Sequence, residues 1–250
     1  MNWLFLNSGK CDPAFNMALD EALLEAMPRL QKPVLRFYGW TEPAATFGYF
    51  QKYADVERAT LLRPLIRRPT GGGIVPHDAD WTYSLVFPPD HEWHLLKAEE
   101  SYRRVHEWIR SAFAKLKVAT VLASGCKNPL RISRSRGNET HSADENQKLL
   151  TSSPTSQCFI GYVRFDLLWQ GRKIAGAAQR RNKLGLLIQG SVQPPPISLA
   201  RADWEQAMIE AGAAASGIIW SDFEPDEPLN EWAEALVRQK YSQAQFITKR

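Results

Sequence analysis

The run Arg67-Arg68-Pro69-Thr70-Gly71-Gly72-Gly73-Ile74-Val75-Pro76-His77-Asp78 constrains this chain more than any other stretch. Three consecutive glycines cost backbone entropy in any ordered structure. They are kept where backbone must come very close to something, or adopt dihedrals that other residues do not tolerate. Two arginines and a histidine bracket them, and a strand-like run, Trp81 to Phe87, follows. The combination implies a small-molecule pocket for an anionic or carbonyl-bearing ligand. A solvated glycine turn between two strands is the competing interpretation.

At 250 residues the chain is long enough for a substantial core, as one large domain or two small ones. Its 44% hydrophobic and 23% charged residues are ordinary globular values. The N-terminus has no basic segment followed by a cleavable apolar core, and no run approaches the roughly 18 apolar residues of a membrane span. Neither a signal peptide nor membrane attachment is expected. The three cysteines, Cys11, Cys126 and Cys158, do not make a disulfide framework. A reducing cytoplasm fits best, and it leaves any of them free to be a working thiol. A net charge of +4 is too small to imply a nucleic-acid partner. Basic residues do cluster, as Lys127, Arg131, Arg134 and Arg136, and as Arg172, Lys173, Arg180, Arg181 and Lys183. Such clusters form either a solvated surface or a face for an acidic protein.

Asp12-Pro13 is an N-cap followed by a residue suited to the first helical turn. The apolar pattern beyond it predicts a helix ending near Pro28. Strands are expected at Val34–Tyr38, Ala44–Phe50 and Trp81–Phe87. A helix is expected from Glu99 to Lys117, with Tyr102, Val105, Ile109, Ala112, Phe113 and Leu116 forming its apolar stripe. Residues 124–157 are polar and lack periodicity, which reads as a long mobile loop. Three strands, Phe165–Trp169, Lys173–Gln179 and Leu184–Val192, and two helices, Leu199–Gly212 and Pro228–Tyr241, complete the chain. Strands and helices alternate irregularly, so the expected fold class is mixed α/β with a largely antiparallel sheet, not a doubly wound one.

Cys158 is the first candidate for chemistry. Most lone cysteines are buried structural residues, and a nucleophilic one needs a partner that stabilises its thiolate. Lys173 stands 15 residues later, just before the small run Ala175 to Ala178. Small residues let backbone approach a ligand or let strands pack closely. His91 and His94 are spaced like a metal pair, but no cysteine or carboxylate set completes a site.

Three motifs resemble one family when taken together. They are Asn16-Met17-Ala18-Leu19-Asp20-Glu21-Ala22, the Arg67–Gly73 run with His77, and Gly171-Arg172-Lys173-Ile174-Ala175-Gly176 with Gln179-Arg180. Their order and content are similar to the lipoate–protein ligase and octanoyltransferase superfamily, over residues of about 10–240. The resemblance implies the fold shared with biotin protein ligases, a mixed sheet wrapped by helices around an acyl pocket. It implies substrate contacts at Arg67, Arg68, Thr70, Gly71, Gly72, Gly73, His77, Gly176 and Ala177. Ligases of the superfamily use ATP and many carry an additional small domain, for which this chain is expected to have no room. It is expected to be a single catalytic domain and a monomer.

One octanoyltransferase class places its acyl-thioester cysteine as Cys-Phe, with the catalytic lysine 15 residues later. Cys158-Phe159 and Lys173 match that pattern. The resemblance then implies attack of Cys158 on octanoyl-acyl carrier protein. Transfer follows to a lysine of a lipoyl carrier, either the glycine-cleavage H protein or a 2-oxoacid dehydrogenase E2 domain. No ATP, metal or organic cofactor is needed. Opposite charges 4 Å apart interact by about 4 kcal/mol at an effective dielectric of 20, enough for Lys173 to lower a thiol pKa. Backbone N–H groups near Gly72-Gly73 and Gly176-Ala177 are candidate oxyanion donors. His77 is expected to shape the pocket.

Geometry adds a requirement. As one straight strand, residues 158–173 would span roughly 45–50 Å. A hairpin at Gln170-Gly171 alone would set Lys173 opposite Leu168. Cys158 and Lys173 therefore meet only if Phe159 to Arg164 double back, with Gly161 a plausible turning point. Two departures from the family pattern stand out: Ala177 where serine is common, and Pro76, which fixes its own φ and restricts Val75. The alternatives are an ATP-dependent lipoate–protein ligase module, an octanoyl amidotransferase between carrier proteins, and a non-catalytic carrier-binding relative.

Overall fold

The computed structural model describes residues 1–125 and 161–249. In chain order its elements are β1 (Asn2–Cys11), α1 (Pro13–Leu30), β2 (Val34–Trp40), β3 (Ala44–Phe47), α2 (Tyr53–Ala59), β4 (Leu65–Arg67), β5 (Val75–His77) and β6 (Trp81–Phe87). Then come α3 (Glu92–Leu95), α4 (Ala98–Lys115), β7 (Val121–Leu122), β8 (Leu167–Trp169), β9 (Arg172–Asn182) and β10 (Gly185–Val192). The chain closes with α5 (Arg201–Ser216), β11 (Ile219–Asp222), α6 (Glu227–Leu236), a π-helical turn (Val237–Tyr241) and α7 (Ala244–Ile247).

β2, β6 and β10 are buried along their whole length. That is why Trp81–Phe87 carries no charged residue: a strand covered on both faces has no solvated side, and its two hydroxyls, Thr82 and Ser84, donate to buried carboxylates. The main sheet runs β11-β1-β2-β6-β10-β9-β8-β7. β1 is parallel to both of its neighbours, and the remaining pairings are antiparallel. The fold is thus mixed α/β with a largely antiparallel sheet, as expected.

Alternation along the strands divides the interior into two cores. Trp3, Phe37, Tyr83, Leu85 and Ile188 face α4 and α5. Leu4, Leu6, Val34, Val86 and Leu187 face α1 and α6. Trp3 is a hub of the first core, edge-on to Phe87, Trp93, Trp108 and Trp220. A small second sheet, β4-β3-β5, lies apart from the main one.

Where boundaries differ from expectation, the cause is local. Pro28 lies inside α1, which runs on to Leu30 before Gln31 turns left-handed (φ 54°) and donates to Met27 O. β3 stops at Phe47, because Gly48 begins a turn whose N–H is taken by Gln51 Oε1 at 2.9 Å. β8 starts at Leu167, because Phe165 is left-handed (φ 70°) and Asp166 N–H closes a turn onto Val163 O. The chain therefore turns at Val163–Asp166. Residues 126–160, and with them most of the expected 124–157 loop, lie outside the described residues. β1 had no counterpart among the expected strands.

The sheet and α1 are joined by an ion pair between Asp20 and Arg36, both fully buried. Asp20 accepts from Arg36 Nη1 (2.7 Å), Tyr38 Oη (3.0 Å), Ser84 Oγ (2.7 Å) and Gln189 Nε2 (2.8 Å). Arg36 also donates to Ser8 Oγ, Asn16 O and Asn16 Oδ1. Removing one partner of such a pair strands a buried charge and costs about 3–5 kcal/mol. Asp20→Ala is therefore expected to lower unfolding free energy by about that amount in urea titration.

Candidate functional site

The Arg67–Asp78 run connects β4 to β5 and passes on toward β6. Its glycines close around a side chain of the run itself. Arg68 Nη2 donates to Gly71 O and Gly73 O, each at 2.8 Å, and Nη1 donates to Thr46 Oγ1 at 2.9 Å. Gly72 has φ +90°. Its carbonyl oxygen would lie 2.0 Å from a Cβ on Gly48, so the run packs backbone on backbone against β3's end. Thr70 Oγ1 donates to Gln189 Oε1 at 2.7 Å.

Arg67, expected at the substrate, goes elsewhere. It is buried against the ring of Phe47 and donates to the carbonyl oxygens of Tyr49, Gln51, Phe246 and Ile247. Its sequence position beside Arg68 masks an opposite direction, because neighbouring residues leaving a strand point to opposite faces.

A cavity of ≈ 220 Å³ opens between the glycine run and the main sheet. Of the expected site residues, Arg68, Gly72, Gly73, His77, Lys173, Gly176 and Ala177 line it; Arg67, Thr70 and Gly71 do not. Its sheet face is set by register. Gly176 pairs with Ser191, Ser191 with Thr82, and Thr82 with Tyr38, in one row across β9, β10, β6 and β2.

Lys173 sits on β9 opposite Leu168, as the hairpin at Gln170-Gly171 requires. Its Nζ lies 2.8 Å from Asp166 Oδ2, and its side chain is 16% exposed while that of Asp166 is fully buried. Asp166 is held in turn by Val163 N–H (2.8 Å) and by a short hydrogen bond from the Tyr102 hydroxyl. A Cβ on Gly176 would lie 2.7–2.8 Å from Lys173 Cε and Nζ. The small run Ala175–Ala178 thus gives the lysine arm its path. Burial first, and the Asp166 charge second, hold the Tyr102 phenol well above its ordinary pKa, so it stays a proton donor. The Ala177 N–H, a candidate oxyanion donor, faces this Tyr102 oxygen.

His77 stands at another part of the wall. Asp80 Oδ2 accepts from His77 Nδ1 (2.9 Å), Thr82 Oγ1 (2.9 Å) and Ser191 Oγ (2.7 Å). A carboxylate only accepts, so His77 carries its proton on Nδ1. Nε2 lies 2.7 Å from Thr46 Oγ1, and the ring stacks on Trp40 at 3.9 Å.

Asp166, Tyr102, Asp80, Thr46 and Gln189 were not foreseen from sequence. Tyr102, Thr46 and Gln189 come from α4, β3 and β10, and Asp80 and Asp166 from the connections before β6 and β8; only their convergence in space marks them. Cys158 and Cys126 lie outside the described residues, as do Lys127, Arg131, Arg134 and Arg136. Of the second basic cluster, Arg180 donates to Glu21 and Arg181 to His94 O, so both serve internal contacts. His91 Nδ1 accepts from Trp93 N–H and His94 Nε2 meets Asn182 O, which puts the two rings in separate structural roles.

Comparison with known proteins gives a consistent answer. Residues 12–193 match the family described as lipoyl protein ligase A/B catalytic domain. The chain is 35% identical over 195 residues to the octanoyltransferase LipM of Geobacillus kaustophilus, covering 76% of this chain and 64% of that protein. It is 36% identical over 195 residues to the octanoyltransferase LipM of Staphylococcus aureus, covering 76% and 65%. The chain thus spans a little under two thirds of the length of these curated relatives. Among solved structures, Ta0514 of T. acidophilum superposes with a TM-score of 0.73 at 19% identity, covering 100% of both chains. A lipoate-protein ligase A bound with ATP gives 0.72 at 19% identity, covering 99% of both. These two show the shared fold.

Beneath the cavity, His106 packs on Tyr102, with ring centroids 4.3 Å apart. Its Nδ1 donates to Tyr102 O at 2.9 Å, and Nε2 has no partner among the described residues. Burial pushes its pKa down to about 4; the Asp166 charge opposes this shift and the Lys173 charge adds to it. In the unfolded chain an ordinary histidine takes its proton near pH 6.5. Between pH 6.5 and about 4 the unfolded state therefore binds a proton that the folded state refuses, and stability falls as pH falls through that window. His106→Gln is expected to flatten this part of the acid limb, measured as urea midpoint against pH.

Proposed function

Because the chain belongs to the family of lipoyl protein ligase A/B catalytic domains, we propose that it is an octanoyltransferase of protein lipoylation acting through a Cys158 thioester. The observation that carries this reading is Lys173 in the wall of the cavity, fixed by Asp166, with Cys158-Phe159 at the matching sequence distance before it. The names of the relatives that are 35–36% identical support the same choice of reaction.

The proposed reaction has two steps. The Cys158 thiolate attacks the carbonyl carbon of an octanoyl thioester on acyl carrier protein. The carrier's sulfur leaves and takes a proton, and octanoyl-Cys158 remains. The neutral amine of a lysine on a lipoyl carrier domain then attacks the same carbon. The amide forms, the C–S bond breaks, and Cys158 leaves as thiolate while the amine's proton is lost. A thioester supplies the driving force for each step, so the reaction calls for neither ATP nor metal.

The residues of the cavity suit these demands. The Lys173 ammonium favours the thiolate and the oxyanion that develops on the acyl carbonyl. Asp166 and Tyr102 hold the lysine in one position, which removes the entropy of searching for it. The glycine run, with Arg68 bound inside it, forms the opposite wall close to the acyl group. Glycine-cleavage H protein and E2 lipoyl domains are the proposed acceptors, and a reducing cytoplasm the proposed compartment.

Incubation with octanoyl-acyl carrier protein is expected to add one octanoyl mass to the protein. The adduct should be labile to hydroxylamine and absent in Cys158→Ser. Unaltered mass, with a lipoyl carrier modified only when lipoate and ATP are supplied, would show a ligase instead. Asp166→Asn should keep the adduct site but slow its formation about 10- to 100-fold, read from the time course of the mass change.

A further inference from the structure

We propose that His77 sets the length of acyl chain this protein accepts, as the wall between the acyl cavity and a second cavity beside it. Only the identity of the occupant rests on the function proposed above; the wall itself does not. The second cavity has a volume of ≈ 350 Å³ and is lined by Lys10, Trp40, Glu42, Asp78, Asp80 and Arg201 among others. Among the described residues, His77 is the one that lines both cavities.

Its ring is held on every side that would let it swing away. Trp40 stacks on it at 3.9 Å, Asp80 accepts from Nδ1, and Thr46 Oγ1 meets Nε2 at 2.7 Å. Trp40 is pinned in turn, since its Nε1 donates to Thr82 Oγ1 at 2.8 Å. Beyond the ring, charged side chains face the second cavity, and Asp80 Oδ1 is buried with no partner among the described residues. A hydrocarbon tail that pushed past the ring would break its hydrogen bonds and enter these surroundings.

The distances fit an eight-carbon chain. Lys173 is on β9, while His77 is anchored by Asp80, the residue before β6, and by Trp40 at the end of β2. Two to three strand spacings separate these points, or about 10–14 Å. An octanoyl group has seven carbon–carbon bonds of about 1.5 Å, a contour of roughly 10 Å. A dodecanoyl group, with eleven such bonds, reaches roughly 16 Å. The shorter chain, with its carbonyl beside Lys173, ends at the His77 ring; the longer one meets it.

The test is calorimetric binding of free fatty acids of six to fourteen carbons to the wild-type protein, His77→Ala and His77→Gln. Each further buried methylene strengthens binding about fourfold. For wild type this gain should stop near eight carbons. His77→Ala should extend it by about two methylenes, which fill the space the ring vacates, raising the dodecanoate-to-octanoate affinity ratio at least tenfold, while His77→Gln, which keeps a long side chain there, should retain the wild-type pattern. Wild-type affinity that climbs through fourteen carbons, or an unchanged ratio in His77→Ala, would overturn the proposal. If His77→Ala does not fold, His77→Asn, whose side chain is shorter than glutamine's, is read in its place: an unchanged dodecanoate-to-octanoate ratio there would overturn the proposal. A length limit without any Cys158 adduct would refute the transfer reaction and leave the wall intact. An adduct without a length limit would refute the wall alone.

Discussion

A carboxylate and a guanidinium with no access to water hold this structure in one arrangement. Taking both charges out of water is expensive, and their mutual attraction offsets the cost only when hydrogen bonds meet the remaining donors and acceptors. Asp20 and Arg36 meet that condition with groups from α1, β1, β2, β6 and β10. Each contact is a positional demand on a different element. Through Gln189, which donates to Asp20 and accepts from Thr70, the demand reaches the glycine run. The next residue, Glu21, is buried and works in the same way on another side. It binds Arg180 of β9 and Lys240 and Tyr241 of the π-helical turn. Burial alone would raise its pKa, but these partners outweigh burial and hold it low. Two adjacent acids on α1 thus gather most of the elements that enclose the cavity.

Three polar clusters around the cavity obey one rule: a side chain lines the interior, and a buried carboxylate behind it holds its position. Asp166 does this for Lys173, Asp80 for His77, and Asp20 for Gln189. The hydroxyls of Tyr102, Thr82, Ser191, Ser84 and Tyr38 take up further oxygen lone pairs. A cavity walled by such groups offers a ligand few unspent donors. Its polar residues are already paired with one another, so the surface behaves as more apolar than its composition suggests.

The sequence was legible where one element carries its own signal. Asp12 and Pro13 mark the start of α1, and the aromatic run of Trp81–Phe87 marks a strand covered on both faces. The glycine run announced a pocket, and Lys173 lies in it. What could not be read is what depends on pairing at a distance. β1 looks like an unremarkable N-terminus until β2 and β11 flank it. Arg67 and Arg68 look alike, yet one is bound by the C-terminal carbonyls and the other by the glycine run. Asp166 is one acid among 27 Asp and Glu residues in sequence, and distinct only once the β8–β9 hairpin brings Lys173 back to it.

The contact between Gly48 and the Gly72 carbonyl has a consequence for how this pocket can change. Side chains adjust by rotating, whereas backbone pressed on backbone has no soft coordinate to absorb an intrusion. A methyl group at position 48 would have to displace the whole glycine run, and with it the Arg68 guanidinium that the run encloses. The shape of the pocket is therefore governed from a strand end that does not touch the ligand space. Redesign for a new substrate has freedom in the side chains that line the cavity, but this hydrogen-for-carbon tolerance is fixed at the scale of a single atom.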